Sequence, residues 1–243
     1  MSIKSLMKLL LPKKILDFTR PYYKQYTNFK TLAKEYGQLE TMKQWSCIDK
    51  NKNPIPWYTY PAIEYLSNLD FSQKTILEWG GGNSSLFWAK RCKEVFTIEI
   101  NPMWFEQIKR KSLNNQKIFL KTQLDQSQMD ESYVTYPKTL GRKFDVIVID
   151  GSERNACSHA ALDLLNNQSK EGAMIILDNS DWFPNTSKFL KESGLLQVDF
   201  HGFAPINEYT HTTSIFFTRN FVFPILHSRQ PHYSQAAICS MED

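Results

Sequence analysis

The chain has 243 residues, 42% hydrophobic and 22% charged, with nine glycines and eleven prolines, the make-up of an ordinary globular protein large enough to bury a substantial core. No uninterrupted apolar stretch approaches the roughly 18 to 20 residues of a membrane-spanning helix, and the early cluster from Leu6 to Leu11 is broken by Lys8 and closed by Pro12, so neither a spanning segment nor a cleavable secretion signal is expected. The net charge of +4 is concentrated in residues 1 to 35, which hold eight Lys/Arg against Asp17 and Glu35; the near-neutral remainder gives no electrostatic reason to expect nucleic acid.

Residues 1–53 read as a helical N-terminal arm. Ile3, Leu6, Leu9 and Leu10 share a helical face, Pro12 interrupts it, and Ile15 to Tyr26 resumes the pattern with many aromatics. Lys4, Lys8, Lys13 and Lys14, interleaved with apolar residues, suit peripheral contact with an anionic membrane. Because Pro12 shortens any continuous amphipathic surface, the favoured reading is instead an apolar face packed on the body as a lid, or a homodimer contact. The stretch 49–56 (DKNKNPIP) has the turn residues and prolines of a linker. Four cysteines, Cys47, Cys92, Cys157 and Cys239, are scattered singly, which reads as reduced thiols in a cytoplasmic protein.

From 54 to 220 short β-branched runs alternate with amphipathic segments, which implies a parallel sheet flanked by helices. Helices are expected over 61–69, 85–92, 103–112, 156–167 and 186–192. Strands are expected over 75–79, 95–100, 117–121, 144–150 and 173–178. Then two strands, 195–203 and 210–219, follow one another with no helix between them, and a terminal antiparallel hairpin is the natural solution. Residues 221–243 form a tail.

The most informative segment is Thr75-Ile-Leu-Glu-Trp-Gly-Gly-Gly-Asn-Ser-Ser85, a buried strand emptying into a glycine turn that opens a helix. Such a turn lets a ligand approach the backbone where a Cβ would prevent it. Glu99 ends the next strand, near the separation at which an acid holds a ribose diol. Glu78-Trp79-Gly80-Gly81-Gly82 resembles the E-x-G-x-G motif of class I S-adenosylmethionine-dependent methyltransferases. The element order from about Pro56 to Arg219 is also similar to that family's. The resemblance implies an α/β, Rossmann-like fold with a seven-stranded, mostly parallel sheet. It further implies an S-adenosylmethionine site made by Glu78, Gly80, Gly81, Gly82, Asn83, Ser84, Glu99, Ile100 and Asp150. A dinucleotide dehydrogenase uses the same physics, but Glu78 inside the first strand and the terminal hairpin speak against it.

A second constellation is Asp150, ending one strand, with Asp178 and Asn179 ending the next. Carboxyl ends of adjacent parallel strands are where open α/β sheets put their ligand crevice. This trio looks like the magnesium-binding Asp and Asp-Asn of catechol-type O-methyltransferases. Three readings stay open: a magnesium site, a metal-free Asp150 serving as base or substrate anchor, and structural capping. Glu153 stands where those relatives keep a lysine and cannot act as a cationic helper, a departure that counts against carrying their mechanism over directly; the catalytic candidates are Asp150, Glu153 and His201. Trp57, Tyr58 and Tyr60 form either a pocket wall or an apolar staple between arm and body. The expected activity is O-methylation of a small molecule or glycan intermediate. The rivals are an aminopropyl transfer served by Asp125, Asp130 and Glu131, and a non-catalytic binding module.

Overall fold

A computed structural model describes residues 12–122, 132–228 and 231–237; the apolar face of Ile3 to Leu10, the acids Asp125, Asp130 and Glu131, and Cys239 lie outside them. The arm begins with α1 (Lys13–Lys30), which tolerates Pro21 in its interior, continues through a π-helical turn (Thr31–Glu35) and ends in α2 (Gln38–Gln44). The body opens with α3 (Tyr60–Ser67) and then alternates: β1 (Thr75–Trp79), α4 (Asn83–Ala89), β2 (Glu94–Glu99), α5 (Pro102–Lys111) and β3 (Gln116–Leu120). A short α6 (Tyr136–Thr139), which the sequence pattern did not announce, precedes β4 (Val146–Ile149), α7 (Arg154–Leu164), β5 (Met174–Leu177) and α8 (Pro184–Glu192). The chain closes with the hairpin β6 (Leu196–Phe203) and β7 (Thr210–Phe217).

The seven strands form one sheet in the order β3-β2-β1-β4-β5-β7-β6. The first five are parallel, and β7 inserts antiparallel between β5 and β6. This is the Rossmann-like, seven-stranded arrangement that the resemblance implies. The central strands read as continuous apolar runs because both faces are covered: every residue of β4 (VIVI) and β5 (MIIL) is buried. Side chains alternate across the sheet. Ile76, Val148 and Ile176 pack with Tyr58, Leu66, Phe87 and Trp88 of the α3/α4 side, while Leu77, Ile147, Ile149 and Ile175 pack with Ala160, Ala161, Leu164 and Leu190 of the α7/α8 side.

Register determines what meets at the strand ends. Trp79 lies opposite Ile98 on one side and Ile149 on the other, and Ile149 lies opposite Leu177. The residues that follow, Gly80, Glu99, Asp150 and Asp178, therefore emerge in a row along one edge. Among the described residues, no helix is long and apolar enough to cross a membrane.

Within the described part of the arm, the two helices differ in how they meet the body. No residue of α1 is buried, whereas α2 and the segment after it join the body. Gln38 Nε2 donates to the carbonyls of Ala204 and Asn207, Thr41 Oγ1 accepts from the Ile206 amide, and Cys47 and Ile55 enter the core. For α1, the sequence expectation of an apolar face packed on the body is not met.

Phe87 on α4 is fully buried, edge-on to Trp88 with ring centroids 5.0 Å apart and capped by the Arg91 guanidinium at 3.8 Å. Phe87→Ala should cost about 3 to 5 kcal/mol of stability through the cavity it leaves, read as an earlier urea midpoint with unchanged slope.

Candidate functional site

A cleft of about 890 Å3 opens across the carboxyl ends of β1, β2, β4 and β5. Its floor is the glycine turn. Gly80 adopts φ +84°, and a Cβ there would lie 2.5 Å from the Gly151 Cα and 2.8 Å from the Asp150 carbonyl oxygen, so the fold itself demands glycine. At Gly82 the reason differs. Its φ of 172° is extended backbone open to any residue, and a Cβ would meet nothing nearer than the Trp104 ring at 3.6 Å. The space beside Gly82 belongs to the cleft, which is what a cradle for a ligand requires.

A buried acid holds this turn from beneath. Ser85 Oγ and Thr97 Oγ1 both donate to Glu78 Oε2, the latter at 3.2 Å, and Ser85 Oγ accepts from the Gly82 amide at 3.1 Å. Glu78 is fully buried and does not line the cleft. The sequence expectation places Glu78 at the cofactor; in the structure its hydrogen bonds go to Ser85 and Thr97, and it shapes the turn through Ser85. Its Oε1 is buried with no hydrogen-bond partner, and burial raises its pKa from 4.5 to about 7, the three hydroxyls of Ser84, Ser85 and Thr97 only partly offsetting the loss of water.

Glu99 is held differently from expectation. Its Oε1 accepts the amides of Ile100 and Asn101, both at 2.8 Å, and its Oε2 accepts the Gly81 amide at 3.1 Å. A carboxylate has about four lone-pair positions, so three backbone bonds leave one, on Oε2. That geometry suits one hydroxyl rather than a bidentate grip. Asn83, Ser84 and Ile100 line the cleft as expected, and the Asn83 amide donates to the Cys47 carbonyl at 2.6 Å and to Ser46 Oγ at 3.0 Å.

Asp150, Asp178 and Asn179 do converge on the cleft, but a side chain that the sequence reading missed stands among them. The Arg154 guanidinium, only slightly exposed, donates to Asp150 Oδ1 at 3.1 Å, to Asn179 Oδ1 at 3.2 Å and to the backbone carbonyls of Asp178 and Gly151. The Asp178 carboxylate turns to β7, accepting from Thr213 Oγ1 at 2.6 Å with His211 Nε2 3.4 Å away. Among the described residues, no group of three or more His, Cys, Asp or Glu is arranged to hold a metal. The donor set does not fit magnesium, because a cation already fixed to the chain binds two of the three oxygens a metal would need. Burial and the neighbouring Asp178 push the Asp150 carboxyl well above the ordinary range in spite of Arg154.

Two of the catalytic candidates, Glu153 and His201, lie away from the cleft lining. Glu153 begins α7 in the left-handed region, φ 52°, exposed and outside the cleft lining. His201 lies on the edge strand β6, where its Nδ1 is 2.7 Å from Thr212 Oγ1. The three aromatics after the linker divide: Trp57 lines the cleft and donates to Asn207 Oδ1 at 3.3 Å, while Tyr58 and Tyr60 are buried, the latter against Tyr36. The sequence reading also missed Trp45, Trp104, Trp182 and Tyr209. Trp104 Nε1 donates to the Gly81 carbonyl and sets an indole beside the turn. Trp45 and Tyr209 stand on segments far from the turn in sequence, with no local pattern to mark them.

No known family model matches the chain, and no curated protein does. Among solved structures it is similar to a precorrin-6y C5,15-methyltransferase of Geobacter metallireducens, at 14% identity over 64% of this chain and 86% of that one, TM-score 0.46. It is similar to a protein described as a methyltransferase from Pseudomonas syringae, at 14% identity over 65% and 96%, TM-score 0.44. A further likeness is to a Streptococcus mutans protein, likewise described as a methyltransferase and in complex with S-adenosylhomocysteine, at 13% identity over 65% and 94%, TM-score 0.44.

Glu78 links the turn to pH. The fold raises its pKa from 4.5 to about 7, so the native state binds this proton more tightly than the unfolded chain. The associated stability is present below pH 4.5 and is lost as pH rises through 7, about 3 kcal/mol in all. Glu78→Gln should therefore unfold at a higher denaturant concentration than the parent at pH 8, with the difference shrinking at pH 5; parallel pH profiles for the two proteins would show that Glu78 is ionised throughout.

Proposed function

We propose that this chain is an S-adenosylmethionine-dependent methyltransferase, acting on an oxygen of a small molecule or glycan intermediate. The observation that carries the reading is the open position at Gly82. A glycine that neither φ nor packing demands sits at the mouth of a strand-turn-helix unit, with space for a ligand beside it. Glu99 Oε2 retains one position for a ribose hydroxyl, and the Trp104 indole offers a face for a purine ring. The cofactor, when bound, supplies an electrophilic methyl group on a sulfonium.

The chain's own work is then to exclude water, align the acceptor and take its proton. Asp150 is the base we assign. Its raised pKa makes it a stronger proton acceptor than an ordinary carboxylate, and Arg154 fixes one of its oxygens while Oδ2 is left for the acceptor hydroxyl. With the acceptor hydroxyl oriented in the cleft toward that methyl group, Asp150 would take the hydroxyl proton. Trp45, Trp57, Trp182 and Tyr209 wall the acceptor half of the cleft. No step uses a divalent cation. Buried thiols at Cys47, Cys92 and Cys157, none in a disulfide, accord with a cytoplasmic location.

Calorimetry with S-adenosylmethionine tests the cofactor. Gly82→Val should leave the unfolding midpoint within about 0.5 kcal/mol of the parent while weakening binding about tenfold or more, that is about 1.4 kcal/mol; equal affinity in the variant would remove the ligand from the turn. For the base, the rate should climb as pH rises through the elevated Asp150 pKa, Asp150→Asn should abolish turnover, and EDTA should leave it untouched. A chelator-sensitive rate would restore the metal reading.

A further inference from the structure

The helix α1 carries a surface that the cleft does not use. Ile15, Phe18, Tyr22, Tyr26 and Phe29 are 46 to 69% exposed, although all are large and apolar or aromatic. At 100° per residue they fall within a wedge of roughly 80°, a single stripe along the helix. Phe18 and Tyr22 meet along it at a tilt of 51°, ring centroids 5.7 Å apart. From Ile15 to Phe29, at 1.5 Å per residue, the stripe is about 21 Å long.

The charge on the same helix says what covers the stripe. Lys13, Lys14, Arg20, Lys24 and Lys30 stand against Asp17 alone. Lys13, Arg20 and Lys24 project opposite the stripe, and Lys14 and Lys30 flank it. A second copy laid stripe to stripe would bring the flanking Lys14 and Lys30 of both helices to the seam, with Asp17 on the back of the helix and unable to pair with them, which is unfavourable at close range. An apolar, aromatic face with a basic back is instead what lies in the plane of an anionic bilayer: rings enter the headgroup boundary and cations remain within about 10 Å of the lipid charge, on the order of the Debye length. Phe and Tyr suit that boundary, being apolar in body and, for Tyr, polar at the tip. In sequence, the eleven residues before Pro12 add Ile3, Leu6, Met7, Leu9, Leu10 and Leu11 with Lys4 and Lys8 and no acid.

The helix is also anchored at one end. Beyond it Leu32 and Tyr36 pack against the core, the Tyr36 ring 5.0 Å from Tyr60, and Lys50 pairs with Glu35 at 3.1 Å. We infer that α1 binds the surface of an anionic membrane through the stripe Ile15, Phe18, Tyr22, Tyr26 and Phe29, holding the body at the lipid surface. This inference does not depend on the activity proposed above, since none of these residues lines the cleft.

The full chain is tested by co-sedimentation with vesicles of phosphatidylcholine alone and of phosphatidylcholine mixed with phosphatidylglycerol, with analytical ultracentrifugation alongside. The parent should bind the mixed vesicles, release as salt rises, and bind neutral vesicles about tenfold or more weakly. Phe18→Ser/Tyr22→Ser/Phe29→Ser and Arg20→Gln/Lys24→Gln should each reduce binding to the mixed vesicles by about fivefold or more. Both should keep the parent's unfolding midpoint, because the replaced side chains are exposed. Equal binding to both kinds of vesicle would overturn the electrostatic half of the inference. Absence of vesicle binding would overturn it altogether, and a concentration-dependent dimer lost in the serine variant would then assign the stripe to a second copy.

Discussion

Everything at the strand ends depends on how closely two backbones approach. Gly80 and Gly151 follow β1 and β4, and a Cβ on either would lie within 3 Å of the other's backbone. That contact draws the loop after β4 against the glycine turn and so brings Asp150 beside the cleft floor. Hydrogen bonds on both sides enforce it: the Gly80 amide donates to the Ile98 carbonyl at 3.0 Å, and the Asp150 amide to that of Trp79 at 3.0 Å. Larger residues at these two positions would part the strand ends, and the distance between the turn and the acid would no longer be set by the sheet.

Arg154 gives the acidic side of the cleft its character. A divalent ion among Asp150, Asp178 and Asn179 would favour the charged form of both carboxylates. A guanidinium is always charged but reaches in one plane, and here it meets the Asp150 side chain while touching Asp178 only through its carbonyl. Burial and the nearby Asp178 then hold the Asp150 carboxyl well above the ordinary range in spite of that cation. The chain thus carries an arginine-held carboxyl where the catechol-type arrangement has a metal.

Much of the fold was legible because its signals are local. The apolar run 75–79 is β1 to the residue, and the hairpin at 195–203 and 210–219 differs from β6 and β7 by a residue or two. The glycine turn, Glu99 and the strand-end acids were likewise readable, each being a residue type at an element boundary. What escaped is set by contacts between distant segments. Glu78 is conspicuous in the sequence, but that it clamps Ser85 and Thr97 rather than a ligand follows only from the pairing of β1 with β2. Arg154 is four residues after Asp150; attention to the position three residues on found Glu153 instead, whose left-handed backbone turns it outward. Trp45 reaches the cleft because Asn83 ties the Ser46–Cys47 backbone to the start of α4, a contact no spacing rule encodes.

The insertion of β7 between β5 and β6 has a consequence for the order in which the protein can be made. β5 leaves the ribosome well before β7, and until residues 210–217 follow it has a bare edge. Over that interval the Asp178 carboxylate also lacks Thr213, and Ser180 lacks the Thr212 carbonyl that accepts its amide. The earlier strand β6 has nowhere to pair at all, since its one neighbour in the sheet is β7. A nascent chain can therefore assemble the part of the cleft built on β1 to β4 while the part beside β5 and β7 stays unbuilt, and its last strand to emerge is the one that completes the cleft.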